Sequence, residues 1–214
     1  MPVRPEPSLF DGGVSLLQLL RDATRRQHAA IEKVIGLDAS FTLRHYIATL
    51  QAFDSFLHVW EARAASALPS RLRPWFWSRS RGALARRDLT ELSAGTEASV
   101  FCAEQVTVAS SAAAWGGMYV IEGSSLGGQV IAKALRQRFG ITVDHGGSFF
   151  GSRGASTAGL WREFCAAMAA EVGTAPRARA QACQAAKQTF DVLGALFTKT
   201  LGREAGEPRE PAES

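Results

Sequence analysis

The chain reads as a single all-α domain, on three observations. Apolar residues recur three and four positions apart almost throughout, as in helices with one buried face. Alanine is common and only two tyrosines occur, a composition that favours helix over strand. Only Ile141 to Val143 reads as extended chain. At 214 residues the chain suits one hydrophobic core, and no internal repeat or second domain is visible.

The elements follow in order. A first helix spans Val14 to Ile35, with Leu16, Leu17, Leu20, Thr24, Ile31 and Ile35 on its apolar side. Asp38 and Ser40 resemble caps for a second helix from Phe41 to Ala67, which turns Tyr46, Leu50, Phe53, Leu57 and Trp60 inward. A short aromatic element, Leu72 to Trp77, and a brief helix, Ala83 to Leu92, come next. Ala109 to Phe139 is a helix interrupted by glycines. Ser156 to Val172 and Arg177 to Leu201 complete the set, the last with Ala182, Ala186, Phe190, Leu193 and Phe197 on one side. Pro176 stands where a helix start tolerates proline. The proline- and charge-rich stretches 1–12 and 203–214 read as flexible tails around a domain of residues 13–202.

Composition narrows the function classes. The proline-rich start has no apolar core of an export signal, and the longest uncharged run, Val106 to Ile121, is shorter than the roughly 20 residues that span a bilayer. The expectation is a cytoplasmic protein with no membrane association. Cys102, Cys165 and Cys183 have no CxxC or zinc-type spacing and read as reduced core residues. A net charge of +4 permits an acidic partner, yet no helix-turn-helix, zinc-finger or ribonucleoprotein motif points to nucleic acid. The absence of ExxH pairs, of GxSxG and of GxxxxGK[ST] argues against di-iron carboxylate, hydrolase and P-loop chemistry.

Two segments stand out. The stretch Gly116-Gly117-Met118-Tyr119-Val120-Ile121-Glu122-Gly123-Ser124-Ser125-Leu126-Gly127-Gly128-Gln129 sets five glycines inside a helical pattern. Each costs about 1 kcal/mol relative to alanine, so bare backbone has a use there. At about 100° per residue, Gly116, Gly123 and Gly127 share one face, and Gly117, Ser124 and Gly128 form a second row. Such a trough serves either close helix packing or a flat ligand. Glu122 is either an acid for proton chemistry or the partner of an arginine.

The second segment carries His28 amid the apolar stripe of Leu17, Thr24, Ile31 and Ile35, with Arg21 and Arg25 earlier on the same side and Glu32 one turn later. A neutral imidazole so placed suits axial ligation of haem iron, with arginines for the propionates and a carboxylate to orient the ring. The other reading is a hydrogen-bonded core histidine among solvated arginines. His45, His58 and His145 have no partner at metal-ligand spacing and read as structural or exposed.

Together the two segments resemble the haem oxygenase family. Leu20-Arg21-Asp22-Ala23-Thr24 with His28 is similar to the family's proximal helix, and Glu122-Gly123-Ser124-Ser125-Leu126-Gly127-Gly128-Gln129 to its distal helix, about a hundred residues apart. Phe41 to Phe53, Gly159 to Phe164 and Ala186 to Phe190 extend the likeness over most of residues 14–200. The resemblance implies one helical domain that clamps haem between a proximal helix and a kinked, glycine-rich distal helix. It implies oxidative cleavage of haem, which is substrate and cofactor at once, to biliverdin, carbon monoxide and ferrous iron. The reaction uses dioxygen and electrons from a donor such as a ferredoxin or a reductase.

Residue by residue, the resemblance makes His28 the iron ligand and sets Arg21, Arg25, Glu32, Tyr119, Gly123, Gly127 and Gly128 around haem. The oxygen chemistry falls at Gly123, Ser124 and Gly127, and Arg162 and Lys187 are further candidates for the pocket. Better-known members carry aspartate where this chain has Ser124. The Glu-Gly-Ser-x-Leu-Gly form looks like a bacterial subgroup associated with bacteriophytochromes, which would make such a photoreceptor the acceptor of biliverdin. A non-catalytic haem carrier or sensor of the same fold is the alternative. A thiaminase-like enzyme would need a cysteine nucleophile with a base, which none of the three cysteines has in sequence.

Overall fold

Capping chemistry sets the ends of the long helices. A computed structural model of the chain describes residues 14–36, 41–95 and 105–204. Helix α1 (Leu16–Ile35) starts where the Ser15 hydroxyl accepts the Gln18 amide, and ends at Gly36, whose φ of 39° lies in the left-handed region. Helix α2 (Leu43–Ala67) starts on a reciprocal cap between Thr42 and His45. It begins later than the expected Phe41 because Thr42 supplies the capping hydroxyl. Asp38 and Ser40, expected as caps, lie outside the described residues. A turn of 3₁₀ helix (Ser70–Leu72) leads into α3 (Arg73–Trp77), and α4 (Gly82–Glu91) follows.

Helix α5 (Ser111–Phe139) is capped by Ser110 and runs 29 residues to the left-handed Gly140. Its glycines do not break it. A short helix α6 (Ser148–Gly151), absent from the sequence reading, follows a turn in which Thr142 bridges His145. That bridge is where the sequence hinted at extended chain; no strand forms among the described residues. Helices α7 (Thr157–Val172) and α8 (Pro176–Glu204) complete an all-α fold, and α8 extends into the stretch read as a tail.

The centre of the bundle is α8, which packs along α1, α2 and α5. The inward residues expected on α2 and α8 are all buried, and Phe53, Phe149, Phe150 and Phe197 meet as one aromatic cluster between them. No helix among the described residues is long and apolar enough to cross a membrane. Cys165 and Cys183 are half-buried free thiols, and burial pushes both above the ordinary cysteine value. Cys102 lies outside the described residues.

Candidate active site

Helix α8 packs along both α1 and α5, and each of those two helices carries one of the segments singled out in the sequence. On α1, the His28 ring sits edge-on to Phe190 of α8, with centroids 5.9 Å apart. The side chain is 60% exposed, so it is not the buried core histidine of the bland reading. Glu32 Oε1 lies 3.5 Å from Nδ1, which leaves Nε2 as the unengaged nitrogen. Arg21 and Arg25 are exposed on the same side. Arg25 pairs with Asp22, whose carboxyl is held below its ordinary value first by Gln18 and then by Arg25.

On α5 the glycines divide by what a side chain would meet. At Gly116 a Cβ would run into the Ala182 carbonyl of α8. At Gly117 it would lie 2.7 Å from the Trp60 indole, and at Gly128 2.8 Å from the Phe150 ring. These three are packing glycines. Gly123 differs, because its Cβ would stand 3.8 Å from Trp161 in ordinary contact, and at Gly127 nothing lies within 4 Å. Gly123 and Gly127 therefore have bare backbone that the fold itself does not use. Gly128 turns to the core and Phe150, away from the open pair.

Tyr119, one turn before Gly123, packs on Trp161 with centroids 5.9 Å apart and lies close to Thr24 of α1. Burial raises its hydroxyl above the ordinary tyrosine value, against the opposing pull of Thr24 and of the Arg21 charge. Helices α1 and α5 thus come together at Tyr119 and Thr24. Arg162 is exposed on α7, and Lys187 is half-buried on α8 one turn from Cys183.

Behind α5 lies a polar layer whose arginines sequence reasoning missed. Glu122 is an ion-pair partner: it is buried between Arg79, at 3.3 Å, and Arg153. Arg79 also reaches Glu163 at 2.9 Å and stacks on Trp75. The Ser124 hydroxyl accepts from Arg81 Nη1 at 2.7 Å and donates to the Ile121 carbonyl at 2.7 Å. Glu61 of α2 accepts from the Ser80 hydroxyl and from the Arg81 and Gly82 amides. In the run Ser78-Arg79-Ser80-Arg81 the arginines look like surface charge, and no local spacing marks them as buried.

Other features stay apart from these two segments. An open cavity of about 680 Å³ lies between α2 and residues 106–110, lined by residues such as Arg63 and Val108, and contains none of the predicted site residues. His45 caps α2, His58 meets Arg86, and His145 is exposed in its turn. Among the described residues no group of three or more His, Cys, Asp or Glu could hold a metal ion.

Comparison with known proteins gives the family and the fold. Residues 14–199 match the haem oxygenase family. A protein of Xanthomonas campestris pv. campestris, named haem oxygenase, is 35% identical over 163 residues, which is 76% of this chain and 88% of that protein. The crystal structures of NO- and CO-bound haem oxygenase from Neisseria meningitidis give a TM-score of 0.74 over 94% of this chain and 99% of that one. At 20% identity that match speaks for the fold. A family match over residues 14–199 and a relative 35% identical over most of both chains lead to one conclusion: the chain belongs to the haem oxygenase family, enzymes that bind haem and degrade it oxidatively.

Proposed function

We propose that haem lies in the groove walled by α1 and α5, with His28 Nε2 as its axial iron ligand and the backbone at Gly123 and Gly127 against its other face. The observation that carries this reading is the division of the glycines. Three of the five are consumed by packing, and the two that are not lie one turn apart on a single wall, where a flat ring needs clearance. Bound there, haem supplies both the iron that activates dioxygen with donor electrons and the ring carbon that is oxidised, giving biliverdin, carbon monoxide and ferrous iron.

The chain's own residues prepare the rest. Glu32 beside Nδ1 favours the tautomer that leaves Nε2 free to ligate. Arg21 and Arg25 are solvent-facing guanidiniums that reach carboxylates as planar forks, and Arg25 would exchange Asp22 for a propionate. Tyr119 would close one end of the groove with Trp161, on which it packs. Gly128 serves the site from behind, by letting Phe150 approach α5. The electrons come from a separate donor such as a ferredoxin or reductase. The chain works in the cytoplasm, and a bacteriophytochrome is the acceptor that the subgroup likeness favours.

The test is an absorption spectrum of the protein with haem, before and after ascorbate in air. The expected result is a Soret band that decays as biliverdin absorption grows. A Soret band that persists would make the protein a haem carrier, and no Soret band at all would overturn the reading.

A further inference from the structure

Aromatic rings stand in file from α3 to Tyr119. Trp75 of α3 meets Trp115 of α5, Trp115 meets Phe164 of α7, Phe164 meets Trp161, and Trp161 meets Tyr119, with centroids 5.3, 5.7, 5.5 and 5.9 Å apart in that order. The spacing is that of ordinary ring packing, and what distinguishes the file is the surroundings of its indole nitrogens. An indole N–H donates and never accepts. Trp115 is fully buried, and its Nε1 has no hydrogen-bond partner. Trp75 Nε1 instead donates to Glu163 Oε1 at 3.0 Å, and the Arg79 guanidinium lies 4.6 Å from the Trp75 ring centre. Glu163 is 56% exposed, and Trp75 first, then Arg79, hold its carboxyl below the ordinary value, so it is ionised at neutral pH.

These nitrogens decide where an electron deficit can rest. A tryptophan that loses an electron becomes a cation whose N–H is strongly acidic. At Trp115 that proton has no acceptor, and a buried charge is costly, so the ring can pass the deficit on but cannot keep it. At Trp75 the neighbouring Arg79 cation disfavours a second positive charge, and Glu163 is in place to take the Nε1 proton. Loss of electron and proton together leaves a neutral ring there. Phe164 is harder to oxidise than indole or phenol and only bridges Trp161 and Trp115. The file therefore has a resting place at one end, a pass-through in the middle and Tyr119 at the other end.

We propose that this file drains oxidising equivalents from the haem groove to Trp75, a protective function separate from haem cleavage. It rests on the reading that haem lies in the groove beside Tyr119. The oxidant is hydrogen peroxide, which the activity itself supplies whenever dioxygen takes two electrons and two protons without oxidising the ring. At the haem the O–O bond breaks, one oxygen leaves as water with both protons, the other stays, and the site is two electrons short. One of those electrons comes from the chain. It passes along the file toward the groove, each oxidisable ring refilled by the next, until the deficit reaches Trp75. Trp75 Nε1 then gives its proton to Glu163, which releases it to solvent. The haem site has gained one electron, and Trp75 has lost one electron and one proton.

The test treats the haem-loaded full chain with hydrogen peroxide and no reductant. Freeze-quench electron paramagnetic resonance reads the radical, and peptide mass spectrometry reads the oxidised side chains. The wild type should give a neutral tryptophan radical and oxidation at Trp75. Trp77 is the internal control: at 48% exposure it is open to attack from solution, and its ring meets Phe76. Trp75→Phe should remove the tryptophan signal. Trp115→Phe should remove most of the oxidation at Trp75 by cutting the file. Glu163→Gln should do the same by removing the base, while its amide oxygen still accepts from Nε1. Biliverdin formation with the electron donor should be unchanged in Trp75→Phe and Trp115→Phe, yet both should lose it after fewer peroxide treatments than the wild type. Oxidation no greater at Trp75 than at Trp77, or undiminished at Trp75 in Trp115→Phe, overturns the relay and leaves the haem reading intact. A wild type that takes up no haem overturns both. Should Trp115→Phe fail to fold, Glu163→Gln, a change at an exposed side chain, decides by the same measurement.

Discussion

Gly116 and Ala182 bring α5 and α8 together backbone to backbone, with no room for a side chain between them. Gly127, three turns on in the same helix, touches nothing. Substitution should separate the two roles. Gly116→Ala should destabilise the fold by about 1–3 kcal/mol through overpacking, seen as a lower urea midpoint. Gly127→Leu should hold or raise that midpoint, because a helical glycine is itself unfavourable, while haem titration weakens and biliverdin yield per haem consumed falls. A Gly127→Leu protein that binds and turns over haem normally would place the chemistry elsewhere.

His28→Ala should lose the spectrum of imidazole-ligated haem and most turnover. The space left beside Phe190 is open to solvent, so added imidazole should restore part of both. An unchanged spectrum would show that another group ligates the iron.

Arg21 and Arg25 should set the in-plane rotation of haem through its propionates, each contributing about 1–3 kcal/mol where partly buried by the ligand. The wild type should release the alpha isomer of biliverdin. The double alanine variant should give a mixture on chromatography, and an unchanged isomer ratio would count against propionate steering.

The Tyr46 hydroxyl is buried and donates to the Gly146 carbonyl at 2.8 Å, with Asp88 at 3.3 Å; burial first, then the Asp88 charge, raise it above the ordinary tyrosine value near 10. Above that value the unfolded chain gives up the proton and the folded one keeps it, so stability is full below about pH 10 and falls above it. Tyr46→Phe should lose about 1–3 kcal/mol at neutral pH by leaving these acceptors without their donor. The gap between wild type and variant should narrow above about pH 10. A gap constant to higher pH in urea titrations would contradict the assignment.

The helices were legible because periodicity reports local burial: Leu50, Phe53 and Leu57, or Ala186, Phe190 and Leu193, face the core as their spacing says. The two motifs were legible because glycine and histidine carry unusual chemistry wherever they stand. Three things were not. The sorting of Gly116, Gly117 and Gly128 from Gly123 and Gly127 depends on Ala182, Trp60 and Phe150, which are distant in sequence. The burial of Arg79, Arg81 and Arg153 depends on acceptors from α5 and from the segment around α6 and α7, so the arginines alone read as surface charge. Helix α6 is too short to show a period, and Asp88 rather than its own sequence caps it.

Borrowed caps have a consequence for how the molecule opens. Helix α4 has no capping side chain of its own, and Glu61 of α2 satisfies its first amides; α4 in turn carries Asp88, which holds the Ser148 and Phe149 amides of α6. The three helices are therefore linked in one direction. Amide hydrogen exchange should find α6 open while α4 stays protected, and never the reverse, with α2 the slowest of the three. The Phe149 carbonyl on Arg81 belongs to the first of these to open, so the breathing of a four-residue helix reaches the Ile121 to Ser125 turn of α5 before any long helix moves.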